Sequence, residues 1–446
     1  MEKIIPDFSQ KPRNQVPEEF TWKNSDIYPH KEAWENDKKI YFRMIEQIDE
    51  LAKDWTASPQ KMFRLMNQVT EIEKLEDKTY AYTSLLSDTD MGNSTWQAMK
   101  GEIDTASVKL RSKLAFMDPD LLKLGRKKIA EYVKAEPRLK VYEMDFHTVL
   151  RMRKHILAAD KEEIMARTTL FSGAPKNASK MLNDLDMPSP RITLSGGEKV
   201  KLDQANYVRY RDAKNRPDRV RVMRTFWRNH TQFKNTQAIL LDAAVKNHFF
   251  RANLRRYKNC LEAALYPHNI QPQVYSTLIE TVKDNLSPLH RHLQLKTRLL
   301  GLKRLTYDDI YASSVPAVEK TFTIKEAQEV VLEALKPLGE EYTDTLAQGF
   351  NRRWMDVYPN KGKRSGAYSN GSLYDLHPYV LMNYQGTFDH VSTLAHEFGH
   401  ALHSWFSNKN QPYPLSHYPT FLAEIASTFN ETLLVYHLLK TETDDL

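Results

Sequence analysis

The sequence predicts a mainly α-helical protein with small β-sheets or hairpins. Glycine provides only 14 of the 446 residues, too few for the frequent turns of an all-β fold. Capping side chains before a proline, at Ser58-Pro59 and Asp118-Pro119, mark helix starts. Extended character is confined to 187–202 and 362–384, so strands are expected to be a minor part of the fold.

The N-terminal part is expected to be a group of antiparallel helices. The apolar spacing predicts long helices at 30–54, 59–86 and 94–116, and shorter ones at 119–134 and 138–157. We interpret the aromatic residues of the long helices as core rather than as a ligand-binding stripe. They are Trp34, Phe42, Phe63, Tyr80 and Trp96.

The helical pattern breaks at 187–202. The prolines in Met187-Pro188-Ser189-Pro190 interrupt any helix, and the alternating residues around Gly196-Gly197 predict a β-hairpin. We therefore predict a domain boundary here, between an N-terminal helical domain at 1–187 and a second domain at 188–446.

The helical pattern resumes at 216–258, at 271–299 and from Thr323 to about Tyr358. Thr323 followed three residues later by Glu326 predicts a capping box. The first of these segments carries a basic cluster, which we interpret as a solvated surface balanced by acidic partners rather than as an anion-binding site. The cluster consists of Arg216, Arg219, Arg221, Arg224, Arg228, Arg251, Arg255 and Arg256.

The composition argues against several classes of protein. The net charge of +7 is a small excess of 64 basic over 57 acidic residues, so no nucleic-acid partner is expected. No run of about 18 apolar residues or signal-peptide core occurs, which predicts a soluble cytoplasmic protein without a membrane partner. The single cysteine, Cys260, leaves histidine and carboxylate as ligands for any zinc site.

The strongest functional signal is His396-Glu397-Phe398-Gly399-His400. Two histidines four residues apart lie on one face of a helix and can bind one ion. Glu397 cannot join both histidines on the ion, but it can reach a water beside the ion, which suits a general base. Apolar residues at helical spacing support this helix: Val391, Leu394, Ala395, Phe398, Leu402 and Trp405.

A catalytic zinc site needs one more protein ligand and an open position for water. A second helix, predicted at 419–431 after a loop at 408–418, carries Glu424 in its second turn. Glu431 lies about 10 Å further along that helix, so it is expected to hydrogen-bond a ligating histidine.

The other histidines are not expected to bind the metal. His403 is also about 10 Å from His396 along the helix, which favours a structural or supporting role. His377, His390, His417 and His437 lack partners at useful spacing. The extended segment at 362–384 predicts two short strands before the motif, either to hold a peptide backbone or as scaffold.

Three segments resemble the oligoendopeptidase F family, relatives of thimet oligopeptidase. They are His377–Gly386, Thr393–His403 and Phe421–Glu431. Similar patterns cover essentially the whole chain, at Pro17–Trp34, Leu185–Pro188, Asn206–Arg211 and Asn360–Tyr368. The resemblance implies a multi-helix, zincin-type metallopeptidase with a small β-sheet beside the active-site helix and a deep channel that admits short peptides.

The resemblance also implies roles for individual residues. His396, His400 and Glu424 correspond to the ligands of one zinc ion per chain, and Glu397 to the catalytic base. Substrate-backbone contacts are implied at Ala367, Tyr368, Ser369, His377 and Tyr379. Two departures from the family pattern, Asn370 in place of a frequent tryptophan and His390 in place of a frequent aspartate, bear on subsite preference and helix capping.

The end of the sequence leaves more than one hypothesis open. Family members continue well over a hundred residues beyond the third ligand, whereas this sequence ends at Leu446, so we expect a truncated chain. The first hypothesis is a zinc endopeptidase acting on internal bonds of short oligopeptides. The alternatives are a truncated, weak or inactive remnant that binds zinc or peptide, and a helical interaction scaffold with a silent motif.

Overall fold

A computed structural model describes residues 5–314 and 320–441. It confirms the mainly helical fold with small sheets. By spatial contacts the described chain forms two compact units, one of residues 5–173, 251–257 and 322–441, and one of the intervening segments. The domain boundary predicted between residues 187 and 188 separates two consecutive stretches of the chain, whereas each spatial unit combines several stretches. That boundary stays a prediction.

The first unit begins with six helices and resumes after residue 322. The N-terminal helices are α1 (Lys31–Leu51), α2 (Pro59–Thr89), α3 (Ser94–Lys113), α4 (Met117–Ala135), α5 (Glu143–Arg151) and α6 (Ala159–Ser172).

The second unit contains the predicted hairpin and a series of helices. Its elements are α7 (Ala174–Met181), β1 (Arg191–Thr193), β2 (Lys199–Lys201), α8 (Gln204–Tyr210), α9 (Arg216–Thr231), most of α10 (Lys234–Leu254), α11 (Cys260–Leu265), α12 (Pro272–Asp284) and α13 (Ser287–Leu299).

The C-terminal part of the first unit carries the predicted motif. Its elements are α14 (Ile324–Ala334), α15 (Glu340–Asn351), β3 (Met355–Asp356), β4 (Tyr368–Asn370), β5 (Tyr379–Leu381), α16 (Phe388–Asn410), α17 (Tyr413–Ser416) and α18 (Thr420–Thr441).

Local sequence signals explain several helix ends. Ser58 caps α2 by accepting a hydrogen bond from the backbone N–H of Lys61, with Pro59 in the first turn. The capping box of Thr323 and Glu326 is confirmed at the start of α14. Asp118 is an exception, because α4 begins at Met117 and places it in the first turn.

Three long predicted helical segments are interrupted in the structure. The segment 271–299 forms α12 and α13, which are separated at Asn285 and Leu286. The segment 216–258 forms α9 and α10, which are separated at Gln232 and Phe233. The segment 323–358 forms α14 and α15, because Pro337 and Gly339, with φ of +93°, turn the chain between them. The prediction of helix to about Tyr358 is wrong at its end, where Met355–Asp356 is strand β3, paired with β5.

Three arginines of the basic cluster, Arg216, Arg219 and Arg221, have acidic partners within the second unit. Asp309 is fully buried and receives hydrogen bonds from the guanidinium groups of Arg216 and Arg219. These bonds hold the pKa of Asp309 well below its usual range, against the opposing effect of burial. Arg221 lies 3.5 Å from Asp218.

The N-terminal helices bury one continuous face of α1. Trp34, Tyr41 and Ile45 are at most 1% exposed and pack in an aromatic core with residues of α2 and α3. Phe42, which was expected in this core, is 37% exposed, because it lies about 100° around the helix from Tyr41. Tyr379 and Leu381 of β5 complete the same core.

The motif helix α16 lies between the sheet and α18. Leu394, Phe398 and Leu402 on one face of α16 are fully buried in a second core, with Val331 of α14 and Leu434 of α18. In the three-stranded sheet, the central strand β5 runs parallel to β3 and antiparallel to β4. Strand β4 is therefore an edge strand. Among the described residues, no helix is long and apolar enough to cross a membrane.

Candidate metal centre and active site

Three side chains converge between α16 and α18. The Nε2 atoms of His396 and His400 lie 3.1 Å apart. The Oε2 atom of Glu424 lies 3.5 Å from the first and 3.6 Å from the second. Ligands of a tetrahedral zinc ion, bound at about 2.0–2.1 Å, lie about 3.3 Å from one another. The three separations therefore fit a metal ion of this size.

A glycine allows the two helices to approach closely enough for this arrangement. A Cβ atom at Gly399 would lie 2.7 Å from the Cα of Ser427 and 2.9 Å from the carbonyl oxygen of Ala426, so the backbone of α18 occupies the space of a side chain. One turn away, the buried Asn430 donates a hydrogen bond to the carbonyl of Ala395 at 3.1 Å. The separation of the helices is thus fixed at Ser427 and again one turn further along α18, at Asn430.

Neighbouring groups orient the three converging side chains. The Oε1 atom of Glu431 lies 2.8 Å from Nδ1 of His396, which orients the ring and leaves Nε2 for an ion. The hydroxyl of Ser427 donates to Oε2 of Glu424 at 2.9 Å. Burial lowers the pKa of His400, which favours the neutral imidazole that binds metals.

Glu397 lies beside this cluster and is 7% exposed. Burial raises the pKa of its carboxyl to about 7. A carboxyl group with this pKa can accept and release a proton near neutral pH.

The cluster opens into a cavity of about 730 Å³, which also contains predicted peptide-contacting residues. Ala367, Tyr368 and Ser369 line it, at the start and along the length of the edge strand β4. His377 and Tyr379 do not line it. The ring of His377 stacks on Trp354 at 5.0 Å and lies 3.2 Å from Asp26. Tyr379 is fully buried, and its hydroxyl donates to the carbonyl of Lys23 at 3.1 Å.

The remaining histidines near the motif take different positions. The ring of His403 stacks on Tyr418 with 3.7 Å between centroids, outside the cluster of His396, His400 and Glu424. The Tyr418 hydroxyl is 2.6 Å from that of Ser404. His417, which has no partner at useful spacing in the sequence, lines the cavity.

The cavity wall carries an ion pair that the sequence did not predict. Arg364 and Asp88 both line the cavity, with 3.1 Å between Nη1 and Oδ2. Asp88 lies about 300 residues before the motif, so no spacing pattern connects the two. Arg364 lies in the segment 360–368, which resembles the peptidase family. This resemblance was the sequence signal that could have marked Arg364 as a functional residue.

Comparison with known protein families gives two matches. The model for peptidase family M3 matches residues 209–445, and the model for oligopeptidase F matches residues 120–188. The first match contains the three converging residues His396, His400 and Glu424 and also the neighbouring Glu397.

Individual relatives are similar over nearly the whole chain. Oligopeptidase PepF of Bacillus subtilis is 32% identical over 97% of this chain, and the chain spans 64% of PepF, just under two thirds. Group B oligopeptidase PepB of Streptococcus agalactiae is also 32% identical over 97% of this chain and is covered to 72%. The crystal structure of oligoendopeptidase-F from Enterococcus faecium superposes with a TM-score of 0.69, at 27% identity, over 93% of this chain and 68% of that one.

Proposed function

The chain belongs to peptidase family M3, in agreement with the resemblance of its motifs, and on this premise we propose that it is a zinc-dependent endopeptidase that hydrolyses internal bonds of short peptides. The observation that carries the proposal is the convergence of His396, His400 and Glu424, with Glu397 beside them, at the wall of a large cavity.

In this proposal His396, His400 and Glu424 hold one zinc ion per chain. Two imidazoles and one carboxylate are the donor set of many catalytic zinc sites, and their separations fit the ion. Zinc supplies Lewis acidity there, which polarises the scissile carbonyl and makes water more acidic. Glu431 and Ser427 keep the ligand atoms directed at one point.

Glu397 is the proposed general base. Its carboxylate takes the proton of the attacking water and delivers it to the nitrogen of the leaving amine. The burial that raises its pKa to about 7 supports this role, because both protonation states are then accessible at neutral pH.

The edge strand β4 is the proposed holder of the peptide backbone. One side of β4 pairs with β5, and residues 367–370 line the cavity. An extended peptide can add to such an edge through main-chain hydrogen bonds, which selects for unfolded segments rather than particular sequences.

The test is hydrolysis of a quenched fluorescent peptide by metal-free and zinc-reconstituted protein, together with zinc content by elemental analysis. Glu397→Gln is expected to retain one zinc per chain and to lose activity by about 10²–10⁴-fold, the usual contribution of a general base. His400→Ala is expected to lose both the bound zinc and the activity. Glu329→Gln, an exposed carboxylate on α14, is the matched control and is expected to change neither. Absence of zinc-dependent turnover in folded, zinc-loaded protein would refute the proposal.

A further inference from the structure

Arg364 is the only lysine or arginine among the described residues that line the cavity. Its side chain is 39% exposed, whereas the side chain of its ion-pair partner Asp88 is 6% exposed. The guanidinium group therefore extends from a buried counter-ion toward the space that a peptide would occupy.

The position of this guanidinium is fixed by its surroundings. Nη1 donates to Oδ2 of Asp88 at 3.1 Å, and the Arg364 backbone N–H donates to the Asp88 carbonyl at 2.8 Å. The guanidinium carbon lies 4.8 Å from the ring centroid of Tyr368, whose hydroxyl also donates to Asp88 at 3.0 Å. Such restraint reduces the conformational entropy that is lost when a ligand binds.

The Nε and Nη2 atoms of Arg364 donate no hydrogen bond to any described residue of the chain. A guanidinium presents its donors in a planar fork that matches the two oxygens of a carboxylate. The other charged side chains of the cavity wall are the carboxylates of Asp88, Glu397 and Glu424. Apart from the proposed zinc ion, Arg364 is therefore the cationic group of this wall that an anionic group of a ligand can approach.

We propose that Arg364 anchors a carboxylate of the bound peptide, supplied by its C-terminus or by an aspartate or glutamate side chain. The inference rests on the proposed peptidase function and specifies its substrate class. Arg364 is assigned to substrate selection, and the metal cluster and Glu397 to hydrolysis. Preference for an anionic peptide should therefore depend on Arg364 even when hydrolysis is blocked.

The experiment measures binding and hydrolysis separately. One neutral hexapeptide sequence is made in three forms: with a free C-terminal carboxylate, with a C-terminal amide, and with an amide plus one internal glutamate. Binding to the Glu397→Gln chain is measured by competition fluorescence anisotropy, and kcat/KM is measured with the unaltered chain. One or both carboxylate forms should bind about 10- to 100-fold more tightly than the neutral form, the effect of a hydrogen bond to a charged group. The form that gains affinity identifies the source of the carboxylate.

Introducing Arg364→Gln into the same background should abolish this preference while binding of the neutral amide is retained. The double change Asp88→Asn with Arg364→Gln avoids leaving the buried Asp88 carboxylate without the charge of Arg364 and should give the same result. The matched control is Arg138→Gln, an exposed arginine paired with a buried glutamate and not on the cavity wall.

The outcomes separate this inference from the proposed function. Equal binding of all three peptides, or a preference that survives the double change, overturns the role of Arg364 even if zinc-dependent hydrolysis is observed. If the binding preference depends on Arg364 but the unaltered, zinc-loaded chain hydrolyses none of the peptides, the carboxylate site is supported and the endopeptidase proposal is overturned.

Discussion

Gly399→Ala should separate the two helices that carry the metal ligands. The added Cβ would lie 2.7 Å from the Cα of Ser427, whereas carbon atoms in favourable contact are about 3.5–4.0 Å apart. The backbones must therefore move apart by about 1 Å. His396 and Glu424, now 3.5 Å apart at their ligand atoms, lie on opposite sides of this contact.

This displacement is large compared with what a zinc site tolerates. Zinc–ligand distances are held within about 0.2 Å, and a misplacement of about 1 Å commonly costs 100-fold in rate. We expect zinc affinity and kcat/KM to fall by about 100-fold each. Overpacking should also lower the free energy of unfolding by about 1–3 kcal/mol.

Zinc affinity is measured by competition with a chromophoric chelator, and stability by urea unfolding of the metal-free chain. Gly101→Ala on α3 is the control, because its Cβ would meet no atom of the described residues within 4 Å. It should stabilise the chain by about 1 kcal/mol through helix propensity and leave zinc affinity unchanged. Wild-type zinc affinity in Gly399→Ala would refute the claim that close helix contact positions the ligands.

Three further predictions test other contacts. Glu431→Ala removes the hydrogen bond to His396 and should lower zinc affinity about 10- to 100-fold in chelator competition. Stability should change little because Glu431 is partly exposed. Unchanged zinc affinity would contradict the orienting role of Glu431. Burial raises the pKa of Asp77 to about 6, so its ionisation opposes folding increasingly as pH rises through 6. Asp77→Asn should therefore stabilise the chain by about 1 kcal/mol more at pH 8 than at pH 5, a value that allows for partial exposure of the side chain. Urea unfolding at the two pH values measures this, and a stability difference between variant and wild type that does not change with pH would contradict it. Thr323→Ala should cost about 1 kcal/mol through loss of the α14 cap, and no loss of thermal stability would contradict the cap assignment.

The sequence predicted best those elements whose signals are local. Helices α1 to α3 end within three residues of their predicted limits, because apolar spacing, Ser58 and Pro59 act within one or two turns. The break between α9 and α10 was not predicted, since Gln232 and Phe233 are neither glycine nor proline. Phe42 was misplaced because the choice of buried face depends on neighbouring helices.

The candidate site was predictable to the extent that it lies on two adjacent helices. The spacing of His396 and His400, and a glutamate on the following helix, were sufficient to indicate the cluster. The pair of Asp88 and Arg364 depends on a contact between segments 276 residues apart, which no local pattern encodes. The contact of Gly399 with α18 is also a tertiary feature, because a glycine inside a helix has no local signature of the neighbour it admits.

The completion of the N-terminal aromatic core by β5 has a consequence for synthesis of the chain. Tyr41 and Leu381 share this core but are separated by 340 residues. At a translation rate of about 5–20 residues per second, β5 follows α1 by about 20–70 s. During this interval the first helices expose an apolar surface that the finished protein buries. Folding of this unit is thus a late event, and the nascent chain is most vulnerable to aggregation before the sheet is made.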